Sequence, residues 1–168
     1  NEMRVFGGMQ DTGTAVTRQG AIDGWERIFG GDGFRVNVDP TDSNTVYCEA
    51  QNGYLVRSFD GGFSFLDGTF GIDFEDRNNW NTPVILNPVR PATMYYGTQR
   101  LWISRDRAGS WLPISGDLTD PETSAFNYGT ISAIAVAPSD TNVIYVGTDD
   151  GYVQRTTDLG ENWEVISQ

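Results

Sequence analysis

One short cassette, Ser/Thr-x-Asp-x-Gly-x-x-aromatic, occurs three times along the chain: Ser58 to Phe65, Ser104 to Trp111 and Thr156 to Trp163. Turn prolines recur in step with it at Pro40, Pro88 and Pro138, so the chain repeats at intervals of roughly fifty residues, the spacing of a propeller or array. Within the last repeat, Thr130–Val136 alternates apolar and small residues as an inner strand does. Val143–Thr148 reads as a second strand, an Asp149-Asp150-Gly151 turn follows, and Tyr152–Arg155 and Trp163–Ile166 complete a four-stranded unit.

The same order runs through Phe34–Val38, Val46–Ala50, Tyr54–Arg57 and Phe63–Leu66, and again through Val84–Leu86, Met94–Gly97, Leu101–Ile103 and Trp111–Ile114. The opening residues enter the repeat at its second strand, near Arg4–Met9, and continue at Ala15–Arg18 and Trp25–Phe29 without a cassette. The reading is all-β: a partial propeller of four-stranded antiparallel blades, three complete and one without its first strand. The units are 1–29, 30–68, 82–115 and 130–168, all one propeller segment. Such a piece leaves sheet faces and a strand edge open, so the chain is expected to be part of a longer polypeptide or of an assembly whose neighbours complete the ring.

In the cassette, the Asp carboxylate can accept backbone N–H groups of its own turn, the Ser or Thr hydroxyl adds a local bond, and Gly allows a positive φ. Ser58, Asp60, Gly62, Phe65, Ser104, Asp106, Trp111, Thr156, Asp158, Gly160 and Trp163 are therefore assigned to folding rather than to chemistry. The aromatic is expected to pack beneath its hairpin. In the second copy the glycine is shifted by one, Ala108-Gly109, which predicts an adjusted turn.

Composition removes several functions. Eleven basic residues, all arginine, face 23 acids for a formal charge of −12, which disfavours phosphate-backbone partners and anionic membrane surfaces. Without histidine there is no Ser-His-Asp triad within this chain, and without lysine no Schiff base. Cys48 is the one cysteine, expected as a small buried apolar residue. No metal or other cofactor is assigned; the sole cofactor idea is calcium at Asp73, Glu75 and Asp76, although no regular ligand spacing supports it.

Two longer connections, Asp67–Asn81 and Gly116–Gly129, are acidic and aromatic, with Trp80 in the first and Glu122, Phe126 and Tyr128 in the second. Loops of this length on a rigid sheet scaffold often carry function. Tyr54, Trp80, Trp102 and Tyr128 look like exposed rings that could stack on sugars, although most of them are expected in the core between blades, and Trp80 and Tyr128 are the ligand-binding candidates. A glycosidase would need two carboxylates flanking the bond, and Asp11, Asp32 and Asp76 are the candidates.

The cassettes, together with Gly8–Thr14, Gly30–Phe34, Val38–Tyr47 and Tyr145–Gly151, resemble the Asp-box (BNR) repeat propellers, in the bacterial branch grouped with sortilin-like and xyloglucanase-like propellers. The resemblance spans the chain and implies fold far more than activity, because that scaffold serves hydrolases, lectin-like modules and receptors. It implies a non-catalytic segment of a larger secreted or surface protein that recognises a glycan or protein, located outside the cell, in the periplasm or on the cell surface. The alternative it implies is part of a hydrolase of a β-glucan such as xyloglucan, in whose relatives the two acids come from different propeller domains. Sialidases share the cassette, but Arg4, Arg35, Arg57, Arg90 and Arg100 give no assignable triad.

Overall fold

The computed structural model describes residues 3–120 and 129–167. Its strands are β1 (Val5–Met9), β2 (Gly13–Thr17), β3 (Trp25–Phe29), β4 (Val36–Asp39), β5 (Asp42–Glu49), β6 (Leu55–Ser58), β7 (Leu66–Asp67) and β8 (Val84–Leu86). They continue with β9 (Met94–Gly97), β10 (Leu101–Ser104), β11 (Leu112–Pro113), β12 (Ile131–Val136), β13 (Ile144–Thr148), β14 (Val153–Thr156) and β15 (Glu164–Ser167). Each sheet is an antiparallel meander in chain order: β1-β2-β3, then β4-β5-β6-β7, β8-β9-β10-β11 and β12-β13-β14-β15. These are blades 1 to 4, one of three strands and three of four. One turn of 3-10 helix, Gln51–Gly53, joins β5 to β6.

Burial explains why the blades stack. The apolar clusters lie between sheets and not within them. Val46, Cys48 and Val56 of blade 2 meet Phe6, Ile28 and Phe29 of blade 1. Tyr47 and Leu55, on the opposite face of blade 2, join Val84, Met94, Tyr96 and Trp111 of blade 3. Tyr95, Leu101 and Ile103 of blade 3 meet Ile131, Ile144 and Val146 of blade 4. Successive residues of a strand point to opposite faces, so each middle strand feeds both seams. Each blade thus has a leading face toward its predecessor and a trailing face toward its successor.

The fourth strands of blades 2 and 3 are shorter than the sequence suggests. β7 starts at Leu66 and not Phe63, and β11 covers two residues, because the turn before each uses the intervening residues for its own hydrogen bonds. The aromatic does more than pack on its own turn. Trp111 clusters with Ala108 of its own turn and also reaches the blade behind: its indole N–H donates to the Gly68 carbonyl of the preceding blade at 2.7 Å. Trp163 repeats this with the Ile114 carbonyl at 3.3 Å. Phe65 has no donor and instead packs on the Phe29 ring of blade 1, centroids 5.5 Å apart.

Candidate functional site

The three cassettes form one hydrogen-bond pattern. Asp60 Oδ1 accepts from Ser58 Oγ at 2.7 Å and from the N–H groups of Phe63 and Ser64 at 2.9 Å, while Oδ2 takes the Ser64 hydroxyl. Asp106 does the same with Ser104, Gly109 and Ser110. Asp158 accepts from Thr156 and from the backbone and side-chain amides of Asn162. In return Ser58, Ser104 and Thr156 accept the N–H groups of Gly62, Ala108 and Gly160.

The second turn is not adjusted. Ala108 takes the glycine position itself with φ 58°, so a methyl group sits where the other copies have none. These bonds stabilise the ionised acids. The Ser64 hydroxyl is the main reason Asp60 lies well below the usual carboxylate range, and the Asn162 side chain holds Asp158 down to about 2. At Asp106 partial burial opposes the shift, and bonds from Ser104 and Ser110 prevail.

In an antiparallel blade the turn from second to third strand shares an end with the connection to the next blade. At that end the structure brings two of the hydrolase candidates together: the Asp11 N–H donates to Asp32 Oδ1 at 2.8 Å. The Asp32 N–H in turn donates to Gln51 Oε1 of blade 2 at 2.8 Å. Asp76 is separate and differs from a solvated loop acid. It is buried, with Oδ2 receiving the Thr98 hydroxyl at 2.7 Å and the Trp102 indole at 3.1 Å. Its Oδ1 receives the Gln99 amide at 2.8 Å and faces the Arg100 guanidinium at 3.0 Å. Donors take both oxygens, which does not fit a calcium ligand, and Asp73 accepts the Glu75 N–H of its own loop. Among the described residues no cluster of three or more acids could hold a metal ion.

A cleft between blades 2 and 3 opens at the same end. It is lined by Asn52, Tyr54, Thr69, Asp73, Phe74 and Asn78, and the Tyr96 hydroxyl closes its floor by donating to the Gly53 carbonyl at 2.8 Å. Tyr54 is 52% exposed, its ring tilted against Phe29 of blade 1 at 6.0 Å, and Phe74 is 90% exposed, so two aromatic residues border the cleft beside amide and carboxylate groups. Tyr54 also borders a second depression with Phe29, Gly30 and Gln51. Trp80 is half exposed, edge-on to Phe34 at 6.1 Å, and its carbonyl accepts the Asn52 N–H of the cleft-lining turn. Trp102 is buried in the seam, as expected for most of the four aromatics. Tyr128, Phe126 and Glu122 lie outside the described residues.

Beneath the cleft sits a group that sequence reading missed. Glu49 is 1% exposed, and neither oxygen makes a hydrogen bond of ordinary geometry. Burial pushes its carboxyl up to about 8, against the pull of the Thr82 and Arg35 amides and the Arg35 charge. Strand register aligns Glu49 with Gly8, Gly97 and Gly147 of the other blades. That one departure from glycine was the available signal.

Sheets stacked leading face to trailing face in this way define a segment of a β-propeller. Solved structures agree. The chain superposes on a GH74 enzyme from Niastella koreensis with TM-score 0.71 and 18% identity over 100% of its length. For the GH74 xyloglucanase from Xanthomonas campestris the figures are 0.69, 19% and 98%, and for an ancestral GH74 enzyme 0.67, 17% and 95%. The chain spans 28%, 28% and 22% of those proteins, respectively. No protein-family model matches it, and no curated protein does. At these identities the likeness establishes the fold. Among the described residues no helix is long and apolar enough to cross a membrane.

Proposed function

We propose that this chain is a carbohydrate-binding segment of a larger secreted or surface propeller of the Asp-box kind, and that its ligand lies in the cleft between blades 2 and 3. The observation that carries this reading is one concave surface in which two exposed aromatic residues, Tyr54 and Phe74, border Asn52, Asp73 and Asn78. Rings present a flat apolar face to a sugar, and amides and carboxylates satisfy its hydroxyls. A β-glucan is the first ligand to test, given the xyloglucanase among the similar structures. The cassette aspartates act as turn locks in this reading, because each carboxylate is occupied within its own turn. Affinity electrophoresis through xyloglucan, mixed-linkage β-glucan and arabinoxylan tests it: retardation by at least one polymer, lost in Tyr54→Ala, supports it, and unretarded migration through all three counts against it.

The contact between Asp11 and Asp32 favours a second reading, part of a glycoside hydrolase acting on a β-glucan. Release of reducing ends from xyloglucan that disappears in Asp32→Asn would select this reading over pure binding.

A further inference from the structure

At the end opposite the cleft, where the turns from first to second strand and from third to fourth strand lie, a pocket opens in the seam between blades 3 and 4. Its lining is cationic in a chain of formal charge −12. Arg90 comes from the turn after β8 and Arg105 from the cassette turn after β10, and both are exposed. Five of the eleven arginines form ion pairs with acids, whereas Arg90 and Arg105 form none among the described residues. Asp106, Asp140 and Asp158, the acids adjoining the lining residues in sequence, each accept hydrogen bonds inside their own turns.

The preceding seam supplies the contrast. Strand register aligns Asn87 with Asp39, and cassette position aligns Leu159 with Arg107. Between blades 2 and 3 those two positions make an internal ion pair, Arg107 Nε to Asp39 Oδ2 at 3.6 Å. Between blades 3 and 4 an amide and an aliphatic side chain stand there instead, and Arg90 and Arg105 bring positive charge without the acid. Asn87 Oδ1 accepts the N–H groups of Val89 and Arg90 at 2.9 Å, which fixes its amide as a donor to the Tyr95 hydroxyl at 3.2 Å. The fully buried Tyr95 thus accepts a hydrogen bond, while its own proton goes to no acceptor among the described residues. Burial pushes this hydroxyl up, and the Asn87 amide and the Arg105 charge pull against that push.

We propose that this pocket binds a small oxyanion, a phosphate, sulfate or carboxylate group, with Arg90 and Arg105 supplying the charge and the Tyr95 hydroxyl a neutral donor. Guanidinium groups carry paired N–H donors whose spacing matches two oxygens of such a group. The pocket holds about 80 Å³, far below the roughly 300–1,000 Å³ of clefts that enclose drug-sized ligands, which limits the occupant to one group of this size. The net charge of −12 repels extended polyanions, so a single ionised group fits the field of the whole chain as well as the pocket. The site stands apart from the cleft and does not depend on what the cleft binds.

Titration calorimetry at low ionic strength with sodium phosphate, sodium sulfate and sodium acetate is the test. Saturable binding of at least one of the three at a single site is expected, and the tightest identifies the group. Arg90→Gln and Arg105→Gln each weaken it by about tenfold or more. Both side chains are exposed, so the far-ultraviolet dichroism stays unchanged. Asn87→Asp, which gives this seam the carboxylate that Asp39 supplies in the preceding one, also weakens binding although both arginines remain. Arg155→Gln, which removes an equal charge from the ion pair with Glu164, leaves binding as it was. The proposal is overturned by the lack of saturable binding with all three salts, by affinity unaltered in the arginine variants or in Asn87→Asp, or by equal weakening in Arg155→Gln.

Discussion

The Asp32 backbone N–H is held 2.8 Å from Gln51 Oε1, tying the segment that leaves blade 1 to the second turn of blade 2. The arrangement repeats: the Arg77 N–H donates to Gln99 Oε1 at 2.8 Å, and the Thr130 N–H to Asp149 Oδ1 at 2.8 Å. One side chain in each of blades 2, 3 and 4 thus clasps the incoming connection. Gln99 is buried and also donates to Asp76, so Gln99→Ala removes two bonds, one of them to an acid that keeps its Thr98, Trp102 and Arg100 partners; it is expected to cost about 2–3 kcal/mol. Gln51→Ala, at a half-exposed site, is expected to cost about 1 kcal/mol. Urea unfolding of the two variants gives both values.

The seam tryptophans differ in the strength of their contact. Trp111→Phe leaves the buried Gly68 carbonyl without its indole donor and is expected to destabilise by about 1–2 kcal/mol. Trp163→Phe, with a longer bond at a partly exposed site, is expected to cost less than half as much. Equal losses in denaturant midpoint would show that ring volume alone matters at this position.

Positive φ separates two cassettes that look interchangeable. Gly160 has φ 96°, and a methyl group there would lie 2.3 Å from the Ile114 carbonyl oxygen. Gly160→Ala is therefore expected to lower stability by at least about 1–2 kcal/mol. At Ala108 the reverse change relieves a φ of 58° but deletes a buried methyl worth about 0.8 kcal/mol, so Ala108→Gly is expected to be near neutral. Thermal melting of the pair checks the contrast.

Glu49 sets the sign of one pH dependence. Its folded value near 8 exceeds the unfolded value of about 4.3, so the folded state binds the extra proton between them. Its effect on stability is therefore most favourable below about 4.3, and stability declines as pH rises toward 8, levelling above it. Glu49→Gln is expected to flatten melting temperature over this window. Asp60 and Asp158 act oppositely: their bonds stabilise above about 3.9 and are lost as pH falls further. A Glu49→Gln curve parallel to that of the unsubstituted chain would contradict the assignment.

Strand order and the number of blades were legible because alternation and turn residues are local signals, as at Val143–Thr148, observed as a strand over Ile144–Thr148. Phe65, Trp111 and Trp163 were recognised as a series, but the spacing of one hairpin says nothing about the blade behind it. Ala108 misled for a related reason: a left-handed residue held by the Ser104 hydroxyl is a tertiary cost invisible in composition. Tyr54 and Trp102 look alike in sequence, yet one lines the cleft and the other is buried near Asp76. Asp11 and Asp32 were singled out separately, and their contact depends on how two blades stack.

Isothermal calorimetry with a xyloglucan oligosaccharide bears most directly on the proposed role, comparing the chain with Tyr54→Ala/Phe74→Ala. Saturable binding at one site, weakened tenfold or more by the double substitution and unchanged by Asp60→Asn when the folded fraction is matched, is the predicted result; tenfold corresponds to about 1.4 kcal/mol. Binding that ignores Tyr54 and Phe74, or that vanishes with the Asp60 carboxylate in a folded protein, would place the site elsewhere and contradict the account.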